Sequence, residues 1–332
     1  MRQVATVLIS SSLACATWLA AAGALAQTAP ASSAAAAPAG GTTVATVTVQ
    51  AAAKPKLVEQ QTRTFVQGYA AAPNPEVGQI ARWHDPVCVQ VVGLPGADQA
   101  KLIKARIESV AQAVGLPAAH ANCVANVEVA FSETPQAIMD VVAEHREFLL
   151  GYYHLHDRDQ LKKVRHPIQA WYVTATRGEG TGTVALAETP FTAFSESRME
   201  VVDDPRLQPP NGCAGSRIGS NCYKSLLRNV FIVADSRALD GKEVGLVADE
   251  MALLALSQPR SLDGCSVLPS VVDAFARAAC SGRDPPDGLT PADAAYLSAL
   301  YSSDVRARKA SEQSGIAGRM AKMLIKANAP AH

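Results

Sequence analysis

The chain has 332 residues, with 30 Lys and Arg balanced by 30 Asp and Glu, 48% hydrophobic residues and 18% charged ones. This length and apolar content suffice for a substantial core, whereas the balanced charge excludes the strongly basic surface that nucleic acid or an anionic membrane selects. Collagen-like and acidic disordered classes are excluded too, because 22 Gly and 20 Pro occur in a chain of modest, two-signed charge.

Residues 1–26 read as an export signal. Arg2 supplies the basic start, Val4 to Ala22 is uncharged and largely apolar, and Ala24-Leu25-Ala26 forms a small-x-small cleavage site before Gln27. Left uncut, such a stretch is long enough to anchor in a membrane, but Ser10-Ser11-Ser12 interrupt it and the small-residue exit favours cleavage. A lipoprotein reading at Cys15 is weaker, since apolar sequence continues past it. Residues 27–62 are mostly Ala, Thr, Ser, Pro and Val with few large groups to bury, the composition of a flexible spacer. Ordered structure is expected to begin between Thr62 and Pro73 and to form one domain over residues 63–328.

Within that domain, Pro86 to Leu94 reads as a buried strand, and Ala97 to Val114 carries a helical apolar period through Leu102, Ile103, Ile107, Val110 and Val114. Asn126 to Phe131 alternates as a strand. Thr134 is placed to cap a helix reaching about Glu147, with Pro135 at its first position. Ala170 to Thr176 is a third strand, and a polar, Gly/Pro-rich stretch from Arg177 to Arg228 follows, with a short edge strand at Ser197 to Val202. The glycines of Arg177 to Thr183 imitate a phosphate loop but lack a following helix, so they read as a flexible hairpin or a disordered loop. Asn229 to Asp235 is a strong strand, followed by an apolar helix from Lys242 to Ser257. Pro269 to Cys280 is expected to form a shorter helix; Thr290, Pro291 and Asp293 start another that ends near Tyr301. Val305 to Ala327 is a closing amphipathic helix, with Met320, Met323, Leu324 and Ile325 at helical spacing. The fold class is α/β or α+β: a mixed sheet with packed helices and a helix-rich C-terminal half.

Beyond the signal's Cys15, six cysteines remain: Cys88, Cys123, Cys213, Cys222, Cys265 and Cys280. An even number in an exported chain reads as three disulfides. Nearest-neighbour pairing gives Cys88–Cys123, Cys213–Cys222 and Cys265–Cys280, although spacing does not choose among the 15 arrangements that six cysteines allow. None of the intervals suits a tetrahedral zinc site.

Two constellations carry conceivable chemistry. His154, His156 and His166, interspersed with Asp157 and Asp159, include an alternating pair compatible with metal ligation; an ordinary surface cluster is the competing and stronger reading. Asp249-Glu250 interrupt the apolar helix, where one carboxylate facing a cleft would be an acid or base with a raised pKa, whereas the plainer expectation puts the pair on a solvated face. That helix contains no histidine, so the helical zinc-protease motif is missing, and there is no Gly-x-Ser-x-Gly elbow. Trp83-His84-Asp85 either lines a site or packs at the start of the domain.

From Pro86 to Asp304 the chain resembles a family of exported proteobacterial proteins catalogued only as a domain of unknown function. The residues carrying the likeness are Cys88 with Val91-Val92-Gly93-Leu94, Cys123 before Asn126-Val127, Phe231 to Asp235, Met251 to Gln258, Cys265 with Leu268-Pro269-Ser270, and Leu289-Thr290 with Asp293, Tyr296-Leu297 and Leu300-Tyr301. The resemblance implies the pairs Cys88–Cys123 and Cys265–Cys280 and no known activity. More distant relatives look like divergent metallopeptidases with two Glu on the equivalent helix. Asp249-Glu250 match those acidic positions, but Leu253 and Gln258-Pro259-Arg260 replace the rest of the pattern.

These readings converge on a periplasmic or secreted, non-enzymatic module without a cofactor, binding an envelope protein or small ligand. No nucleic acid and no membrane span after signal cleavage are expected. The alternative is an envelope hydrolase of metallopeptidase ancestry using Glu250 or Asp249.

Overall fold

Proline at its first position and an apolar stripe of Val58, Phe65, Val66 and Tyr69 make Pro55–Tyr69 a helix, α1, with that stripe buried. It is the first element in the computed structural model, which describes residues 54–70, 79–151, 158–178, 184–185, 223–276, 280, 282–304, 307 and 309–329. Helical structure is thus already present at Pro55, ahead of the onset expected between Thr62 and Pro73: eight residues assigned to the spacer belong to the helix, with Val58 and Thr62 buried. The average composition of residues 27–62 concealed this face, because its larger residues lie across the expected boundary. The export signal, the rest of the spacer, Ser197 to Val202, Cys213–Cys222, His154 and His156 lie outside the described residues.

Strand β1, Val89–Val92, runs through α2, Ala97–Ala113, into β2, Val127–Ser132, and pairs with it in parallel, Val89 opposite Val127. A crossover helix is the usual connection that lets neighbouring strands run parallel. Helix α3, Pro135–His145, a 3₁₀ turn at Glu147–Leu150 and a short helix α4, Arg158–Leu161, precede β3, Ile168–Gly178. Strand β4, Val184–Ala185, folds back on β3 with Thr176 opposite Ala185, as expected of a hairpin. Strand β5, Tyr223–Asp235, starts within the stretch expected to be irregular; it pairs with β2 in parallel and with β3 antiparallel. The mixed sheet has the order β1-β2-β5-β3-β4.

Helices α5, Val244–Leu256, α6, Pro291–Tyr301, and α7, Lys309–Ala327, complete the described fold. Alternation along the strands sends Val127, Val129, Phe131, Val230, Ile232 and Ala234 into a large core shared with α1, α2, α5, α6 and α7. Ala130, Trp171, Phe231 and Val233 pack on the opposite face with Met139, Val142, Leu149 and Leu150. The result is an α/β fold in three layers, all within one compact unit, Ala51–His332.

Local chemistry explains where helices start and stop. Thr290 caps α6 as expected, and Asp293 completes a capping box with it, each side chain accepting from the other's backbone N–H at 3.1 Å. Thr134 does not cap α3 through its side chain; its own N–H donates to Ser132 Oγ at 3.0 Å instead. Of the helix expected over Pro269 to Cys280, the described residues form a 3₁₀ turn, Val271–Phe275. There Asp273 accepts from the N–H groups of Ser266 and Ser270, at 3.0 and 3.2 Å, which folds the segment back on itself. Helix α7 buries Met320 and Leu324 as its period predicts. Among the described residues, no helix is long and apolar enough to cross a membrane.

Candidate functional site

Asp249 and Glu250 are both buried in α5, correcting the expectation of a solvated face. Every residue from Val247 to Leu256 is buried, so this helix has no side turned to water. Asp249 is a clamp. Its Oδ1 accepts from Arg106 Nε on α2 and its Oδ2 from the Leu289 N–H, at 2.8 Å, joining α2, α5 and the approach to α6. Gly288 makes room for that contact, since a β-carbon there would meet Asp249 Oδ2 at 2.8 Å.

Glu250 is only 2% exposed, and its Oε2 has no hydrogen-bond partner among the described residues. Burial holds its carboxyl well above the usual carboxylate range, and the neighbouring Asp293 pushes it further in the same direction. Asp293 is itself raised by burial, against the pull of its hydrogen bonds: it accepts from Ser270 Oγ at 2.6 Å, Val271 N–H at 2.8 Å, and Thr290 N–H and Oγ1 at 3.1 and 2.9 Å. The buried Tyr296 hydroxyl likewise has no hydrogen-bond partner among the described residues. Nearby phenols are satisfied: Tyr172 donates to the Leu254 carbonyl at 3.0 Å, and Tyr69 Oη lies 3.4 Å from Ser257 Oγ.

The histidine cluster separates. His154 and His156 lie outside the described residues, whereas His166 is largely buried with Nε2 3.3 Å from Asp263 Oδ1. Among the described residues, no group of three His, Cys, Asp or Glu is arranged to hold a metal ion. Trp83 packs at the start of the domain, its indole N–H donating to the Ala255 carbonyl at 2.7 Å. Beside it, the buried Arg82 pairs with Glu312 of α7 and donates to the Leu300 carbonyl; burial lowers its pKa to about 10, leaving it cationic at neutral pH. The disulfides Cys88–Cys123 and Cys265–Cys280 are present, with Cα atoms 6.1 and 5.6 Å apart.

Two of the clefts among the described residues are notable. One, of about 510 Å³, lies between α3 and the sheet; Val92, Ile138 and Val141 line it, and Arg146 grips Glu128 through two 3.0 Å hydrogen bonds on its wall. The other, of about 630 Å³, lies between residues 160–166, the first half of β3 and the 259–263 loop. Gln160, Lys163, Arg165, His166, Arg260 and Asp263 supply its polar lining. Neither Asp249 nor Glu250 lines either cleft. Sequence reading missed all of these except His166, although the run Lys162-Lys163-Val164-Arg165-His166 is a visible basic signal.

Comparison with known protein families, characterised proteins and solved structures finds no match to this chain. The family likeness described from sequence thus rests on the residues that carry it.

Proposed function

We propose that this chain is an exported, disulfide-stabilised, non-enzymatic module that binds a partner or small ligand in the periplasm or at the cell envelope. The cleft of about 630 Å³ carries this reading. It combines apolar walls with convergent polar groups, the usual character of a ligand site, and loops anchored on β3 and α5 form it. Two disulfides fit an oxidising compartment, in line with the signal read from residues 1–26.

Hydrogen exchange of the mature protein, with and without an envelope extract, tests the proposal. Slowed exchange over residues 160–172 and 259–263, with α2 unchanged, is the expected result; uniform exchange in both conditions overturns it. The hydrolase alternative draws on the Glu250 carboxyl, whose pKa burial raises. It expects peptide cleavage by purified protein that Glu250→Gln abolishes, whereas the binding module expects no cleavage to lose.

A further inference from the structure

The two described bridges stand in different surroundings. Cys88, immediately before β1, is 5% exposed, whereas Cys265 is exposed on the loop that follows α5. Thiol–disulfide exchange needs a thiolate to reach a sulfur, and exposed bridges are the readily reduced ones. The Cys265–Cys280 bridge also has a cation tied across it. The Arg283 N–H donates to the Cys280 carbonyl at 3.3 Å, and the Arg283 guanidinium donates to the carbonyl of Ser266, next to Cys265. A guanidinium near a thiol favours the thiolate, which helps the sulfur that leaves.

The exposed bridge also holds one wall of the larger cleft, residues 259–263. That wall is fixed at its two ends. At one, the Arg260 N–H donates to the Tyr69 carbonyl at 2.7 Å; at the other stands the bridge. Between them Ser261 and Asp263 bond to each other, and Asp263 Oδ1 reaches His166 Nε2 across the cleft at 3.3 Å. Without the bridge, the far end hangs on two hydrogen bonds at Ser266, its N–H to Asp273 Oδ1 and its carbonyl to Arg283. Single hydrogen bonds hold weakly in net terms, so such a loop opens often. Farther along, the chain keeps its hold: buried Ser270 and Val271 donate to Asp293 of α6, and Thr290 Oγ1 donates to the Pro269 carbonyl at 2.8 Å.

From these observations we infer that Cys265–Cys280 is a redox latch on the cleft: a dithiol reductant opens this bridge selectively, and the loosened wall releases what the cleft binds. A thiolate of the dithiol attacks Cys265 Sγ, and the S–S bond breaks with its electron pair passing to Cys280, which leaves as a thiolate and takes up a proton. The second thiol of the reductant then attacks its own sulfur in the mixed disulfide and frees Cys265 as a thiol. The chain gains two electrons and two protons, and the dithiol, which loses them, becomes a disulfide. The inference rests on the cleft being the binding site of the module and adds the regulation of that site.

Timed reduction of the mature, disulfide-intact protein with dithiothreitol, stopped by alkylation and read by peptide mass mapping, tests it. Cys265 and Cys280 should become alkylated at least about tenfold faster than Cys88 and Cys123. Amide hydrogen exchange over residues 261–267 should then quicken about tenfold or more, while β2 and residues 270–275 stay unchanged. Cys265→Ser combined with Cys280→Ser should show the same quickened exchange without any reductant. Protection of residues 259–263 by an envelope extract should be present in the oxidised protein and lost in the reduced protein and the double variant. Equal reduction rates for the two bridges, exchange over residues 261–267 unchanged by reduction, or extract-induced protection that survives reduction overturns the inference. Selective reduction with quickened exchange, but no extract-induced protection even in the oxidised protein, supports the latch and removes the binding module instead.

Discussion

Glu250 is a carboxyl group that folding takes from water without supplying a partner for Oε2 among the described residues. Its folded-state pKa is raised, so the native chain holds a proton that the unfolded chain releases once pH exceeds the ordinary Glu range, about 4.3. Below that range both states are protonated and the group has no effect on stability; above it, stability falls as pH rises towards the folded-state pKa. Glu250→Gln keeps the size and removes the titration. In urea denaturation, wild type and variant should be nearly equal at pH 4, with the variant ahead by more than about 1 kcal/mol at pH 8. A gap that narrows with rising pH would contradict this account. The acidic pair itself was legible in the sequence, but the different fates of its members were not. Asp249 finds Arg106 and the Leu289 N–H, and those partners come from elements remote in the chain.

Element by element, sequence signals were most accurate where local chemistry alone decides. The box of Thr290, Pro291 and Asp293 starts α6 because its bonds close within one turn. The Thr-Pro start of α3 looks similar, yet Thr134 makes no side-chain capping bond there. Thr290→Ala should therefore cost about 1–2 kcal/mol and Thr134→Ala less than about 0.5 kcal/mol, measured by urea denaturation. The N-terminal helix was illegible because its meaning is tertiary. Phe65 and Tyr69 are buried against Tyr296 of α6, with ring centroids 5.8 and 5.1 Å from it, and composition does not reveal that partner. A chain beginning at Lys54 should keep the melting temperature of the mature protein. One beginning at Arg63, the boundary that composition suggested, loses buried Val58 and the first turns of α1 and should melt several degrees lower.

Taken as a whole, the molecule combines a large core with covalent closure at two places among the described residues. Cys88–Cys123 joins the approaches to β1 and β2 across 35 residues, and Cys265–Cys280 closes a loop of 15 after α5. Loop-closure entropy assigns them roughly 4 and 3 kcal/mol respectively. Replacing each pair by Ser should destabilise in that order, by denaturant unfolding under non-reducing conditions. Peptide mapping should recover both bridges, and a bridge from Cys88 to any other cysteine would refute the pairing. Nearest-neighbour pairing found these bridges because each links segments that the fold keeps adjacent.

By itself the sequence determined the class of fold and the order of most elements, since periodicity and caps act over one or two turns of chain; for the bridges it offered nearest-neighbour pairing without the means to choose it among the alternatives. The three-dimensional structure decided what faces what. It buried Asp249 and Glu250 inside a helix without a wet side, and it extended the ordered domain back to Pro55. It also brought Arg260 across from the basic run Lys163 to His166 to form one cleft. Those outcomes depend on contacts between residues far apart in sequence, where desolvation and charge are set by neighbours that only folding supplies.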